Sequence, residues 1–264
     1  MKHQNEAPPT SPASATSGES QVRRWVERLG DLLIEFEGDS ASTATRQVVA
    51  IHSLTSLVKR QKVACIPPAY REALLGTWDD AMANAGVLEL VRGYLIAPEK
   101  SLYLWGAVGV GKTFAACCIA NELLQAGRSV RFQTLSGLLL DLRDTFGREG
   151  TSELQVLTPL FDVEFLILDE LGDVSLEREP RASGFAASRL LTLLDRRWQD
   201  GKPMIMTSNL PLSELVRWSG DERIASRILG MCGAKNVVQL VGRDLRFDPA
   251  VPVEEALSLG DTKH

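Results

Sequence analysis

One eight-residue run constrains this chain more than any other. Gly106-Ala107-Val108-Gly109-Val110-Gly111-Lys112-Thr113 fits G-x-x-x-x-G-K-S/T and directly follows the apolar, strand-like run Leu102-Tyr103-Leu104-Trp105. A stretch with helical apolar spacing comes next and ends at Gly127, a natural C-cap. Strand, glycine loop and helix together turn backbone N–H groups inward around a polyphosphate, which the helix N-terminus also favours. In such a loop Lys112 reaches the β- and γ-phosphates and the Thr113 hydroxyl ligates Mg²⁺, so ATP and Mg²⁺ are the implied ligands. From average residue usage the bare pattern arises by chance in roughly one chain of this length per hundred. The flanking strand and helix leave little room for a plain Gly-rich turn.

Further strand-like runs at Val130–Thr134, Phe165–Leu168, Met204–Thr207 and Val237–Val241 alternate with helical stretches. These helices are expected near Lys112–Gln125, Ser136–Phe146, Ala186–Gln199 and Glu222–Leu229. Such alternation predicts a parallel sheet covered on both faces, an α/β fold. Phe165-Leu166-Ile167-Leu168 runs into Asp169-Glu170, putting two carboxylates at the C-terminal end of a buried strand, where open α/β sheets place ligands. Asp169 would hold the Mg²⁺ shell and Glu170 would take a proton from attacking water. The strand Met204–Thr207 leads into Ser208-Asn209, whose amide either meets the γ-phosphate and the water or makes a turn before Pro211. Arg223 and Arg227 are four apart, hence on one helix face. They form either an ion-paired surface or a fork of donors for a neighbouring copy's nucleotide.

Composition narrows the function classes. A length of 264 residues supports a full core, and the net charge of −5 argues against an all-round nucleic-acid surface. No run approaches the ~18 apolar residues of a membrane span, and the N-terminus lacks the apolar stretch of a secretory signal. Cys65, Cys117, Cys118 and Cys232 make no CxxC pair, so reduced thiols in the cytoplasm are expected. Residues 1–20 are rich in Pro, Ser, Thr, Ala and Gly, a composition that predicts disorder. Residues 21–65 read as a small helical region, with apolar stripes over Val22–Phe36 and from about Ser42 to Lys62. These stripes either pack on the main domain or dock a partner. Ile66-Pro67-Pro68 punctuates the chain before a main domain at 66–247, and a tail occupies 248–264.

With these elements in this order, the chain resembles the AAA+ ATPases of the DnaC-type helicase-loader and IstB-like group, over about Ile66 to Arg246. Ile66-Pro67-Pro68-Ala69-Tyr70, Leu168-Asp169-Glu170-Leu171-Gly172, Asp195-Arg196-Arg197 and Thr207-Ser208-Asn209-Leu210-Pro211 carry the resemblance beside the glycine loop and the Arg223/Arg227 segment. It implies a P-loop AAA+ sheet of five parallel strands in the order 5-1-4-3-2. It also implies Asn209 as sensor 1, Arg227 as arginine finger with Arg223 as its alternative, and Arg246 as a late nucleotide contact. About 18 residues follow Arg246, which agrees with the lidless loaders. The same resemblance makes Val22–Phe36 a grip for a hexameric helicase. It implies self-association into a ring or spiral that holds single-stranded DNA, with Arg143, Phe146 and Arg148 as candidate contacts. The leading expectation is an ATP-hydrolysing loader of a replicative helicase. An IstB-like regulator of a transposase on duplex DNA is one alternative, and a nucleotide-gated adaptor without hydrolysis is another.

Overall fold

The apolar runs pair as the alternation predicts. In the computed structural model, which describes residues 56–77, 85–147, 150, 152–172, 180–242 and 244, five parallel strands form one sheet. They are β1 (Leu102–Trp105), β2 (Val130–Thr134), β3 (Phe165–Leu171), β4 (Met204–Ser208) and β5 (Val237–Gln239). Their order is β2-β3-β4-β1-β5, as the resemblance implied. The chain divides into two compact units, Met1–Val58 and Lys59–His264, and the sheet belongs to the second. The Val22–Phe36 stripe, the two tails, Arg148 and Arg246 lie outside the described residues.

Among the described residues, seven α-helices with defined ends flank the sheet: α1 (Ala85–Ile96), α2 (Lys112–Gln125), α3 (Leu135–Arg143), α4 (Glu153–Asp162), α5 (Pro180–Gln199), α6 (Leu212–Ser219) and α7 (Glu222–Cys232). Strand alternation divides the core between the two faces. Tyr103, Leu166, Leu168, Met204 and Met206 pack with apolar residues of α3 to α7. The intervening Leu102, Leu104, Ile167 and Ile205 are also buried, and α2 packs against β3 and β4. Covered on both sides, β1, β3 and β4 need continuous apolar runs.

Helices α1, α4 and α6 were not anticipated. A capping box opens α4: Ser152 accepts from the Gln155 N–H, and the Gln155 side chain accepts from the Ser152 N–H. Pro159 inside this helix masks that signal. Two buried polar side chains tie neighbouring elements together. Asn121 of α2 donates to the Tyr70 and Ala73 carbonyls and accepts from Gln61, so the segment around Pro67 and Pro68 is tied to α2. Arg197 of α5, fully buried, donates to the carbonyls of Leu160, Phe161, Val163, Glu164 and Pro203. It thereby pins the entries to β3 and β4 onto one helix. Burial pushes its pKa down to about 10, against the opposing charge of Asp200. Among the described residues no helix is long and apolar enough to cross a membrane.

Candidate active site

The chemistry gathers at the C-terminal edge of the sheet. β4 lies between β1 and β3, with Trp105 and Leu171 both in register with Ser208. The loop after β1, the carboxylates of β3 and the residues after β4 are therefore neighbours by topology. The Gly106 N–H extends this edge by donating to the Ser208 carbonyl at 3.2 Å.

Two loop positions require glycine. A Cβ on Gly106 would stand 2.2 Å from the Leu240 carbonyl oxygen, so the chain leaving β5 crosses this end of the loop in close contact. Gly109 has φ +78°, and a Cβ there would fall 1.8 Å from Oδ1 of Asp244. The Asp244 carboxylate thus rests against the phosphate loop itself. Lys112 heads α2 and is buried, with Nζ donating to the Gly106 carbonyl at 2.9 Å and the Ala107 carbonyl at 2.6 Å. Val110 is buried and anchors the loop, whereas Val108 is exposed at its tip.

Beside Lys112, Thr113 Oγ1 lies 3.1 Å from both carboxylate oxygens of Asp169. The Thr207 hydroxyl donates to Asp169 Oδ1 at 2.5 Å and accepts from the Glu170 N–H at 3.0 Å. Asp169 is 3% exposed. Burial raises its pKa above the ordinary carboxylate range, and the hydroxyls of Thr207 and Thr113 together with the Lys112 charge oppose that rise. A hydroxyl and a carboxylate at this separation are hard oxygen donors, and this set fits Mg²⁺, which takes one or two protein oxygens and completes its shell with water and phosphate. Among the described residues no cluster of three or more His, Cys, Asp or Glu side chains offers an all-protein metal cage.

Glu170 is turned by a bulge. Leu168 pairs with Met206 and Leu171 with Ser208, so β3 carries one more residue than β4 across that interval. Glu170 takes up the irregularity at φ +62° and is exposed. A non-glycine residue in this region costs on the order of 1–2 kcal/mol. The bulge re-aims consecutive carboxylates, so that Asp169 is buried against Thr113 and Thr207 while Glu170 faces solvent. Asn209 follows β4 directly and is exposed at the same edge.

The two arginines sit on α7 beside carboxylates. Arg223 is 74% exposed at the side chain and pairs with Asp221, the N-cap of its own helix, at 2.7 Å. Arg227 Nε lies 2.5 Å from Asp195 Oδ1, and its Cζ sits 3.9 Å from the centre of the Trp198 ring. On another part of the surface, Phe146 packs edge-to-face on Phe185 at 5.6 Å, and Arg143 and Arg189 approach the same ring at 5.8 and 5.2 Å. Arg143 and Phe146 are thus brought together. Phe185 and Arg189, which complete this cluster, come from α5 and are distant in sequence. Thr207 was missed as a site residue, although a hydroxyl ending an apolar strand was its visible signal. Asp244 gave no signal at all.

The model of the IstB-like ATP binding protein family matches residues 16–248. The chain belongs to that family. Curated relatives of this IstB-like chain include the replicative helicase loader DnaC of Escherichia coli K12, 35% identical over 123 residues, 47% of each chain. The putative ATP-binding protein of insertion sequence IS21 from Pseudomonas aeruginosa is 32% identical over 153 residues, 58% of this chain and 54% of that one. The IstB-like chain spans about half the length of these relatives. Among solved structures, a DnaC helicase loader superposes with a TM-score of 0.55 at 23% identity, covering 67% of this chain and 100% of that one. AMPPCP-bound DnaA from Aquifex aeolicus gives 0.54 at 18% identity, covering 75% and 58%. The shared fold is the P-loop AAA+ sheet.

Proposed function

We propose that the chain is an ATP-dependent loader of a replicative DNA helicase onto single-stranded DNA, an oligomeric switch whose ATP state holds its partners and whose hydrolysis releases them. The observation that carries the hydrolytic part is the linkage of Thr113, Asp169, Thr207 and the Glu170 N–H beside Lys112. In this reading the N–H groups of Gly106–Thr113 and the Lys112 ammonium bind the ATP phosphates. Thr113 and Asp169 would hold Mg²⁺, which would supply positive charge to the ATP phosphates. Glu170 accepts the proton of the attacking water and Asn209 orients that water. Arg227 of an adjacent copy, with Arg223 as the alternative, meets the charge that builds on the γ-phosphate, and Arg246 contacts the nucleotide of its own chain.

The loader part is supported by the 35% identity with the DnaC helicase loader of E. coli. Residues 21–65 act as the helicase grip, and Arg143, Phe146 and Arg148 contact single-stranded DNA in the cytoplasm. The IS21 relative favours a second reading, in which the same switch regulates a transposase on duplex DNA. Affinity capture with Glu170→Gln in the presence of ATP tests the first reading. The host's replicative helicase is expected to co-purify with this variant and to be lost when residues 21–65 are deleted. Absence of the helicase, with retention of a transposase on duplex DNA, would replace loading by the second reading.

A further inference from the structure

Two features single out Arg227 from Arg223. Arg223 folds back on Asp221 of its own helix and is largely in solvent. Arg227 is gripped from another element. Asp195 and Trp198 are three apart on α5 and share a face. The carboxylate of Asp195 meets Arg227 at Nε, its stem-side nitrogen, and the Trp198 ring stacks on the guanidinium at 3.9 Å. The same indole lies along the α7 backbone, for a Cβ on Gly230 would stand 3.6 Å from its Cη2. The platform itself is rigid, because Arg197 between these two residues is buried and clasps five carbonyls on the opposite side of α5. Asp195 thus approaches Arg227 at Nε, whereas the two terminal nitrogens form the end of the fork. Trp198 is 45% exposed and the Arg227 side chain 34%, so the stacked pair is open to solvent on one side.

We infer that Asp195 and Trp198 are positioning residues that hold the Arg227 fork ready for the nucleotide site of a second copy of this chain. The inference rests on the reading that Arg227 acts in trans, and it deepens that reading by choosing Arg227 over Arg223. A planar fork engages phosphate oxygens only when its plane is set. An ion pair along one edge and an aromatic ring on one face together set that plane.

A mixing experiment separates the holder from the finger. Chains carrying Lys112→Ala offer Arg227 but no working phosphate loop, and chains carrying Arg227→Ala keep the loop but offer no finger. Hydrolysis absent from either alone should return on mixing. Adding Trp198→Ala or Asp195→Asn to the Lys112→Ala donor should lower the recovered kcat about tenfold. The ATP KM of the acceptor chains should stay unchanged, since their own sites are intact. A Trp198→Phe donor retains an aromatic face and should recover at least half of the lost rate. Thermal unfolding of each donor identifies variants that fail to fold, and the milder Trp198→Phe and Asp195→Asn then carry the test. Equal complementation by folded Trp198→Ala and Asp195→Asn donors would overturn the holder while leaving the finger. Better complementation by Asp195→Asn would overturn it too, showing that Asp195 restrains the arginine. Full activity of Arg227→Ala chains alone would remove the finger reading and the holder with it.

Discussion

The phosphate loop and helix α7 are built in opposite ways. Around the loop, Lys112 and Asp169 are buried, and hydrogen bonds link Asp169 to Thr113, to Thr207 and through Thr207 to the Glu170 N–H. On α7, Arg223 is exposed and Arg227 is half-buried, and each is paired with a carboxylate. In the proposed reading, one chain carries what nucleotide binding needs and offers a second copy what the transition state needs. Buried hydrogen bonds fix the first without a partner, whereas exposed charge pairs are weak enough to be redirected by one.

The sharpest way to break that division is Arg227→Ala. It should lower the ATPase rate of the assembled protein by roughly 10³-fold or more, with affinity for a fluorescent ATP analogue within about twofold of wild type. A parallel loss of affinity would mean that Arg227 serves its own chain's site. Glu170→Gln should reduce hydrolysis by ~10²–10⁴-fold while ATP stays bound, read by single-turnover kinetics. If ATP bound and Glu170→Gln left every other behaviour unchanged, the chain would be the adaptor without hydrolysis.

Next in size is Arg197→Met, which strips a buried donor from five carbonyls. It should cost ~3 kcal/mol or more of stability in urea unfolding, and both regions should lose function together because α5 supports both. Asp244→Asn removes a negative charge from beside Gly109, where the nucleotide phosphates are read to sit. Nucleotide should bind a few-fold more tightly, on the order of the energy of one partly screened charge. Unchanged or weaker binding in a titration would show that the carboxylate supports the loop instead of opposing phosphate.

The smallest effect is a pH dependence. Burial raises the Asp169 pKa in the folded chain, so the native state binds more protons than the unfolded one between the ordinary carboxylate pKa and the raised value. Nucleotide-free wild type should therefore lose stability relative to Asp169→Asn as pH rises through that window, and match it below. Thermal unfolding with Mg²⁺ removed checks the sign.

Much of the fold was legible because it is written in local patterns. The bounds of β1, β2 and α2 follow the apolar runs directly, since a short buried strand or a helix after a glycine loop announces itself within a few residues. Asp169 and Glu170 were legible as a pair at a strand end. The bulge that sends them to different environments was not, because it is a property of register against β4. Thr207 and Asp244 reach the site through long-range pairing, and Asp195 becomes meaningful only once α5 and α7 are seen side by side. Helix α4 hid behind Pro159, although its capping box stood in plain view.

The most direct test of the account is ATP turnover per chain with single-stranded DNA, with duplex DNA and with the host's replicative helicase, for wild type beside Glu170→Gln. The account predicts that single strands or helicase raise wild-type turnover and that Glu170→Gln stays inactive throughout. Stimulation by duplex DNA alone, with no response to the helicase, would contradict helicase loading and leave the same fold serving transposition.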